Sequence, residues 1–304
     1  MKEKLRILAS LIIFLFLLPY VLTVFMQGTT FAGGKIDEAA TETFADTSDE
    51  QEQTEKEQLV LILAKQINVN SEKEAIKAQA VIVRANYTYA VENNMEVDEG
   101  LLVSEMMQLF GKNNFQSCYQ LLGECLDETK GVRVGYQGED VPLPYHAVSA
   151  GRTRDGVASG DGQQFPYLVG VESSMDIPSE NYLKVVYFEK TEFLAQLEQI
   201  FPQVTFTEND IPSQLSIDGR DEGDYVSTVT AGGVTVTGEE FKNRLGLASS
   251  CFSIAEADGK IRIVTKGLGH GYGLSQYGAN EMAEEGKTYI DILKYYFPNV
   301  EITE

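Results

Sequence analysis

The sequence predicts an α+β fold, on three observations. Six stretches carry apolar residues at helical spacing: 72–92, 99–110, 191–200, 239–246, 276–286 and 288–297. Five others are alternating, β-branched or glycine-bounded, as strands are: 132–136, 141–149, 182–189, 225–236 and 250–265. The two kinds do not alternate in the regular βαβα order of a doubly wound sheet. No internal repeat is visible.

The elements in chain order support a single body behind an anchor. Met1–Arg6 contains Lys2, Lys4 and Arg6, and 7–26 is an uncharged apolar run, ILASLIIFLFLLPYVLTVFM. Its length corresponds to about 30 Å of helix, the thickness of a hydrocarbon core. The basic flank predicts residues 1–6 in the cytoplasm, a single transmembrane anchor at 7–26 and the remainder outside the cell membrane. The competing reading is a cleaved signal peptide. Its apolar core would be unusually long, and only 30–34 hints at a cleavage site. Residues 27–57 are acidic and poor in large apolar groups, which predicts a flexible stalk. The body, 58–304, opens near Leu59 with LVLILAKQI, a short buried helix or strand. AGRTRDGVASGDGQQ (150–164) reads as a long surface loop.

Composition narrows the function. The chain has 304 residues, with 46 acidic against 24 basic side chains and a net charge of -22. That charge argues against nucleic acid, whose phosphates want a basic face, and against a polybasic membrane surface. A hydrophobic content of 43% excludes general disorder. The histidines are His146 and His270 alone, with no H-E-x-x-H, which leaves little for zinc hydrolysis. Cys118, Cys125 and Cys251 form no C-x-x-C. In an exported chain Cys118 and Cys125 either pair or stay reduced and packed.

Three segments carry chemistry. In NSEKEAIKAQAVIVRANYTYA (70–90), Ser71 and Glu74 have capping-box spacing, so the helix is expected to begin at Glu72. At 100° per residue, Ala78, Val81 and Ala85 fall within about 40° of Glu74, with Lys77 and Arg84 flanking that small apolar stripe. Two readings fit. Either Glu74 bonds back to the Ser71 amide as a cap, or it is a partly desolvated carboxylate able to hold a proton for a glycosidic oxygen. Lys77 and Arg84, if turned inward, oppose that desolvation. The second segment, GLGHGYGLSQYGANE (267–281), has glycine at 267, 269, 271 and 273, which permits close approach of a ligand or of another strand. It fits neither a dinucleotide fingerprint nor a nucleophile elbow. Ser275 is placed to cap a following helix. The segment is either a sugar- or carbonyl-binding lip carrying His270, Ser275, Gln276 and Tyr277, or a tight turn packed against the helix of Glu74. The third, PLPYHAVSAGRT (142–153), brings His146 into a small-residue loop.

EAIKAQAVIVRANYTYA (74–90), YHAVSAGRTRDG (145–156), PYLVGVESSMD (166–176) and GHGYGLSQYGANEMAEEGKTYIDILKYYFP (269–298) together resemble the SpoIID/LytB family of stage II sporulation D proteins and amidase enhancers. They occur in that family's order and cover the body. The resemblance implies a peptidoglycan lytic transglycosylase used in engulfment of the forespore. Its substrate is glycan already stripped of stem peptides, its partners are a SpoIIP-like amidase and a SpoIIM-like membrane protein, and it needs no cofactor. The acid/base implied is the glutamate opening E-A-x-K-A-Q-A, here Glu74. Lys77, Gln79, Arg84, His146, Ser149, Thr153, His270, Ser275, Gln276 and Tyr277 are the expected groove residues, with the Gly-His-Gly strip facing Glu74 across a sugar-sized trench. The match departs from the family where Arg84 is followed by Ala85 and Asn86 rather than by threonine, and where S-G-G-x-T becomes Ser149-Ala150-Gly151-Arg152-Thr153. Some members carry a cysteine–histidine zinc site after the catalytic helix. Here no histidine precedes His146, so no metal is expected. A hydrolase would add a second carboxylate, for which Asp155, Asp161 and Asp176 are available. The rival class is a non-catalytic glycan-binding enhancer of an amidase.

Overall fold

The helix expected at 72–92 is the spine of the molecule. In this computed structural model, which describes residues 43–157 and 165–303 with side chains from Thr54 on, it runs as α2. The predicted anchor 7–26, the first part of the stalk and Asp161 lie outside those residues. In chain order the helices are α1 (Thr43–Gln66), α2 (Lys73–Glu92), α3 (Val103–Phe110), α4 (Phe115–Glu128), α5 (Lys190–Ile200), α6 (Gly238–Leu245), α7 (Gln276–Glu284) and α8 (Tyr289–Tyr296). The strands are β1 (Arg133–Tyr136), β2 (Glu139–Asp140), β3 (Tyr145–His146), β4 (Leu183–Phe188), β5 (Leu215–Ile217), β6 (Thr228–Ala231), β7 (Val234–Thr237), β8 (Phe252–Ala257), β9 (Lys260–Lys266), β10 (Leu274–Ser275) and β11 (Glu301–Thr303). The architecture is α+β, with small sheets ordered β11-β1-β2, β10-β3, β4-β9-β8 and β5-β6-β7. Among the described residues no helix is long and apolar enough to cross a membrane.

Backbone order begins well ahead of Leu59, because the Glu-, Gln- and Lys-rich run up to 58 favours helix and joins LVLILAKQ in α1. α4 has no counterpart among the predicted helices. Phe115, Tyr119, Leu122 and Leu126 nonetheless carry helical spacing, the signal that identifies it. Cys118 and Cys125 are both free and lie two turns apart on α4, roughly 10 Å by helical rise, too far for a disulfide. The predicted strand 141–149 shrinks to β3, paired parallel with β10. The runs 225–236 and 250–265 fold as hairpins, turning at Gly232–Gly233 and Asp258–Gly259. All four turn residues have positive φ.

Three cores follow. Ile76, Ala80 and Val83 of α2 pack with Leu59, Leu63, Met106, Leu122 and Leu126 from α1, α3 and α4. Ala75, Ala78, Val81 and Ile82, on the other face, meet Leu274, Ala279, Ile292, Leu293 and Tyr296 near α7 and α8. Each large apolar side chain so buried contributes about 1.5–3 kcal/mol. The alanines of α2 let the neighbouring helices come close. The excursion 183–266 has its own core around Phe193, Phe241, Phe252 and Ile261. Arg154 stands between the last two cores. Its side chain is fully buried between the rings of Tyr225 (5.0 Å) and Tyr272 (4.6 Å), and its Nε donates to Asp221 Oδ2 at 2.7 Å.

Candidate functional site

Glu74 lies in the first turn of α2, and it is not the cap that its spacing suggested. The N-cap is Glu72, without a side-chain capping bond, and the helix starts at Lys73. The Ser71 amide donates instead to the Asn68 carbonyl at 3.0 Å, and the Glu72 amide donates to Asn280 Oδ1 of α7 at 2.8 Å. That frees the Glu74 carboxylate to reach two other donors. Lys77 Nζ donates to Oε1 at 2.6 Å, and the Tyr289 amide, in the first turn of α8, donates to Oε2 at 2.8 Å. A carboxylate at a helix N-terminus is favoured by the open amides there. Lys77 also pairs with Glu128 Oε2 at 2.7 Å. Burial pulls the Lys77 ammonium down, but the bonds from Glu128 and Glu74 outweigh it and hold the ammonium above its ordinary value. Lys73 and then Lys77 bring Glu128 down to about 2. The Glu74 side chain remains 30% exposed.

A cleft of about 370 Å³ opens at the N-terminal end of α2, lined in part by Asn68, Asn70, Ser71, Asn181, Gln276, Tyr277 and Asn280. Carboxamides, hydroxyls and one aromatic ring are groups that hydrogen-bond and stack on neutral polar molecules. Glu180 is the one charged side chain lining it. Glu74 does not line this cleft, but Asn280 forms part of its wall and caps α2 two residues before Glu74. The asparagines are absent from the predicted set, because scattered single carboxamides leave no pattern in a sequence.

No family model matches the chain. It is 30% identical over 263 residues to the stage II sporulation protein D of Bacillus amyloliquefaciens, covering 82% of this chain and 74% of that protein. The chain belongs to the stage II sporulation protein D family. The protein of that name from Bacillus subtilis (strain 168) is 29% identical over the same length. A 73-residue stretch, 23% of this chain and 10% of the relative, is 37% identical to the amidase enhancer of Bacillus subtilis.

The structure brings the other predicted family-motif residues into separate groups. Gln79 and Gln276 meet: Gln276 Nε2 donates to Gln79 Oε1 at 3.2 Å and to the Gln66 carbonyl at 2.6 Å, tying α1, α2 and α7 together. Gln79 is fully buried. Arg84 donates to the carbonyls of Leu126 (2.6 Å) and Thr129 (2.8 Å), closing the C-terminus of α4. Thr153 accepts from the Val171 amide. Tyr277 lines the cleft.

The glycine strip is filled by protein. A Cβ on Gly271 would lie 2.4 Å from the Tyr225 ring, and one on Gly273 would lie 2.0 Å from the Pro144 carbonyl. Both glycines have positive φ, so the close approach that the sequence advertised is made by the chain's own strand and ring. Ser275 caps α7, accepting from the Gly278 amide, and donates to Asp176 Oδ1 at 2.8 Å. Asp176 Oδ2 accepts from the Ser149 amide at 3.0 Å. This buried carboxylate therefore holds the 149 loop to the start of α7. Burial raises its pKa, against hydrogen bonds from Ser149 and Ser275. Asp155 accepts from the Val157 amide within its own turn. His146 Nδ1 donates to the Tyr272 carbonyl at 3.0 Å, and burial pushes the histidine down to about 3. Its ring lies 5.8 Å from that of His270, whose Nδ1 accepts from the Tyr272 amide. Burial lowers His270 as well. Among the described residues, no group of three or more His, Cys, Asp or Glu side chains is placed to hold a metal.

Proposed function

We propose that this family member is a membrane-attached, extracytoplasmic peptidoglycan lytic transglycosylase of sporulation. It cleaves the MurNAc–GlcNAc bond of glycan stripped of stem peptides, with Glu74 as general acid and base. Membership in the stage II sporulation protein D family supports the sporulation and cell-wall setting. The observation that carries the chemistry is Glu74 itself. It opens the E-A-x-K-A-Q-A motif, stays partly exposed, and sits in the first turn of a helix whose N-terminal end borders a carboxamide-lined cleft. The cleft supplies hydrogen-bonding groups suited to sugar hydroxyls and acetamides.

In this reading Glu74 donates its proton to the oxygen linking the two sugars, and the C1–O bond breaks. The muramic 6-hydroxyl attacks C1 and returns its proton to Glu74, leaving a 1,6-anhydro product. One carboxyl serves both steps because the proton given in the first is recovered in the second. For the acid step Lys77 must leave Oε1, and Glu128 is the carboxylate that can keep it. Of the second carboxylates a hydrolase would add, Asp176 is buried in internal bonds, Asp155 accepts from the Val157 amide, and Asp161 lies outside the described residues. By resemblance the partners are a SpoIIP-like amidase and a SpoIIM-like membrane protein.

The amidase-enhancer match favours one rival, a glycan-binding subunit without chemistry. Incubating the full chain with denuded glycan separates the two. Mass spectrometry is expected to show anhydro-muropeptides from the wild type and none above background from Glu74→Gln. Equal release from both proteins removes Glu74 from the mechanism. No release from either, with amidase stimulation retained, establishes the rival.

A further inference from the structure

Among the described residues, the cleft at the start of α2 is lined by one carboxylate and no cation. Its walls are the 67–71 connection between α1 and α2, residues 147–148 after β3, the 179–181 turn and the first turns of α7. Glu180 stands on that turn. The Tyr182 amide donates to the Ser179 carbonyl at 2.9 Å, which puts Glu180 and Asn181 at the two central positions. The turn is anchored on both sides. The Ser179 amide donates to the Asp176 carbonyl at 3.0 Å, and the Tyr182 carbonyl accepts from the Gly267 amide at 2.6 Å.

The α7 wall has the same sign. Burial and then a hydrogen bond to the Glu281 carboxylate hold the Tyr277 hydroxyl above its ordinary value, and Glu284 adds to that field. The cations in the first turns of α2, Lys73 and Lys77, are already held by Glu128 and Glu74. A ligand carboxylate in this cleft therefore meets repulsion and no counter-charge.

The two sugars that alternate along stem-peptide-free glycan differ at one place that such a field reads. N-acetylglucosamine is neutral. N-acetylmuramic acid is the same ring with a lactyl ether on O3, and removal of the stem peptide leaves that ether ending in a carboxylate. Carboxamides and hydroxyls hydrogen-bond the groups common to both. Glu180 opposes only the second.

We propose that Glu180 makes this cleft a subsite for N-acetylglucosamine and shuts out N-acetylmuramic acid, setting the register of the glycan against Glu74. The inference rests on the glycan reading above. Because the sugars alternate, fixing one in the cleft fixes which of the two kinds of glycosidic bond reaches Glu74.

The test compares chitotetraose with the same tetramer carrying a 3-O-lactyl ether on every ring, so that no shift along the cleft presents a neutral sugar. Binding to the full chain with Glu74→Gln, which prevents turnover, is read by calorimetry. About 0.15 M salt screens charges beyond about 8 Å, so local groups outweigh the net charge of the protein. Chitotetraose is expected to bind about fivefold more tightly, the effect of one like charge in contact across water. Converting the lactyl carboxylates to methylamides closes the gap. Glu180→Gln narrows it and Glu180→Lys removes it, while chitotetraose binding stays close to that of the parent. Equal binding of the two tetramers, or a gap that survives methylamidation or ignores Glu180, overturns the proposal. Cleavage of denuded glycan by the wild type alongside that result leaves the proposed function standing. Binding of neither tetramer also overturns the proposal, and with no cleavage by the wild type it overturns the glycan reading too.

Discussion

Glu74 and Asp176 are both carboxylates inside the family-like segments, and they sit in opposite settings. Glu74 is partly exposed and accepts from a lysine and a helix-end amide, either of which can exchange for solvent or ligand. Asp176 has no exposed surface, and its oxygens are bound to Ser149 and Ser275. The first setting suits a group that must change partners during a reaction. The second suits a group whose partners fix two loops. Within the family-like segments, burial and partner count therefore separate a carboxylate able to exchange partners from one fixed in place.

The largest expected effects sharpen this contrast. Glu74→Gln is expected to lower glycan cleavage by about 10²–10⁴-fold, the usual contribution of general acid–base catalysis. Its stability should change by less than about 1 kcal/mol, since the lost ion pair is partly exposed and Gln still accepts from the Tyr289 amide. Arg154→Ala should do the reverse. Asp221, whose side chain is 2% exposed, loses its cation, and an orphaned buried charge costs about 3–5 kcal/mol. Denaturant titration alongside a cleavage assay, normalised to folded protein, reads both. A large melting shift in Glu74→Gln, or loss of turnover per folded molecule in Arg154→Ala, breaks the distinction.

Asp176 gives a smaller effect with a pH signature. Its folded pKa is raised, chiefly by burial, so the stability it contributes is fully present below the ordinary carboxylate value. That contribution is lost as pH rises through the raised value. Asp176→Asn should cost about 1–3 kcal/mol, because the Ser149 amide or the Ser275 hydroxyl loses an acceptor. The deficit should shrink as pH rises. A deficit that grows with pH would show that Asp176 is held as a stabilised anion instead.

The elements most legible in the sequence were those with long uninterrupted patterns. α2, α7 and α8 fall within two residues of their expected bounds, because alanine-rich or capped helices carry their own start and stop signals. The glycine strip was legible as a place of close approach, but the occupant, Tyr225 and Pro144, is remote in sequence and only the fold supplies it. Of the two readings open for Glu74, the cap fails for a related reason. Local spacing places the helix start within one residue, while the donor that Glu74 accepts from in place of Ser71, the Tyr289 amide, arrives from 215 residues away. Arg154 stood inside a quoted motif, yet its role depends on Asp221, Tyr225 and Tyr272, which no local pattern links to it.

Lys77 is the finest test of the contrast, because it belongs to the exposed site yet makes two ion pairs. Lys77→Met keeps the length of the side chain and removes the charge that lies 2.6 Å from Glu74 and 5.7 Å from the Tyr289 ring centre. Loss of the cation leaves Glu74 without the partner that takes up and releases Oε1 between the two steps, so kcat is expected to fall several-fold. Glu128 keeps Lys73 but loses the bond from Lys77, so its carboxyl should rise from about 2. Stability should fall by no more than about 1 kcal/mol. The informative split is between kcat and KM. A lowered kcat with nearly constant KM makes Lys77 a positioning residue for the Glu74 proton. An unchanged kcat with a several-fold higher KM gives Lys77 to the glycan instead, and the exchange of Lys77 between Glu74 and Glu128 then plays no part in the acid step.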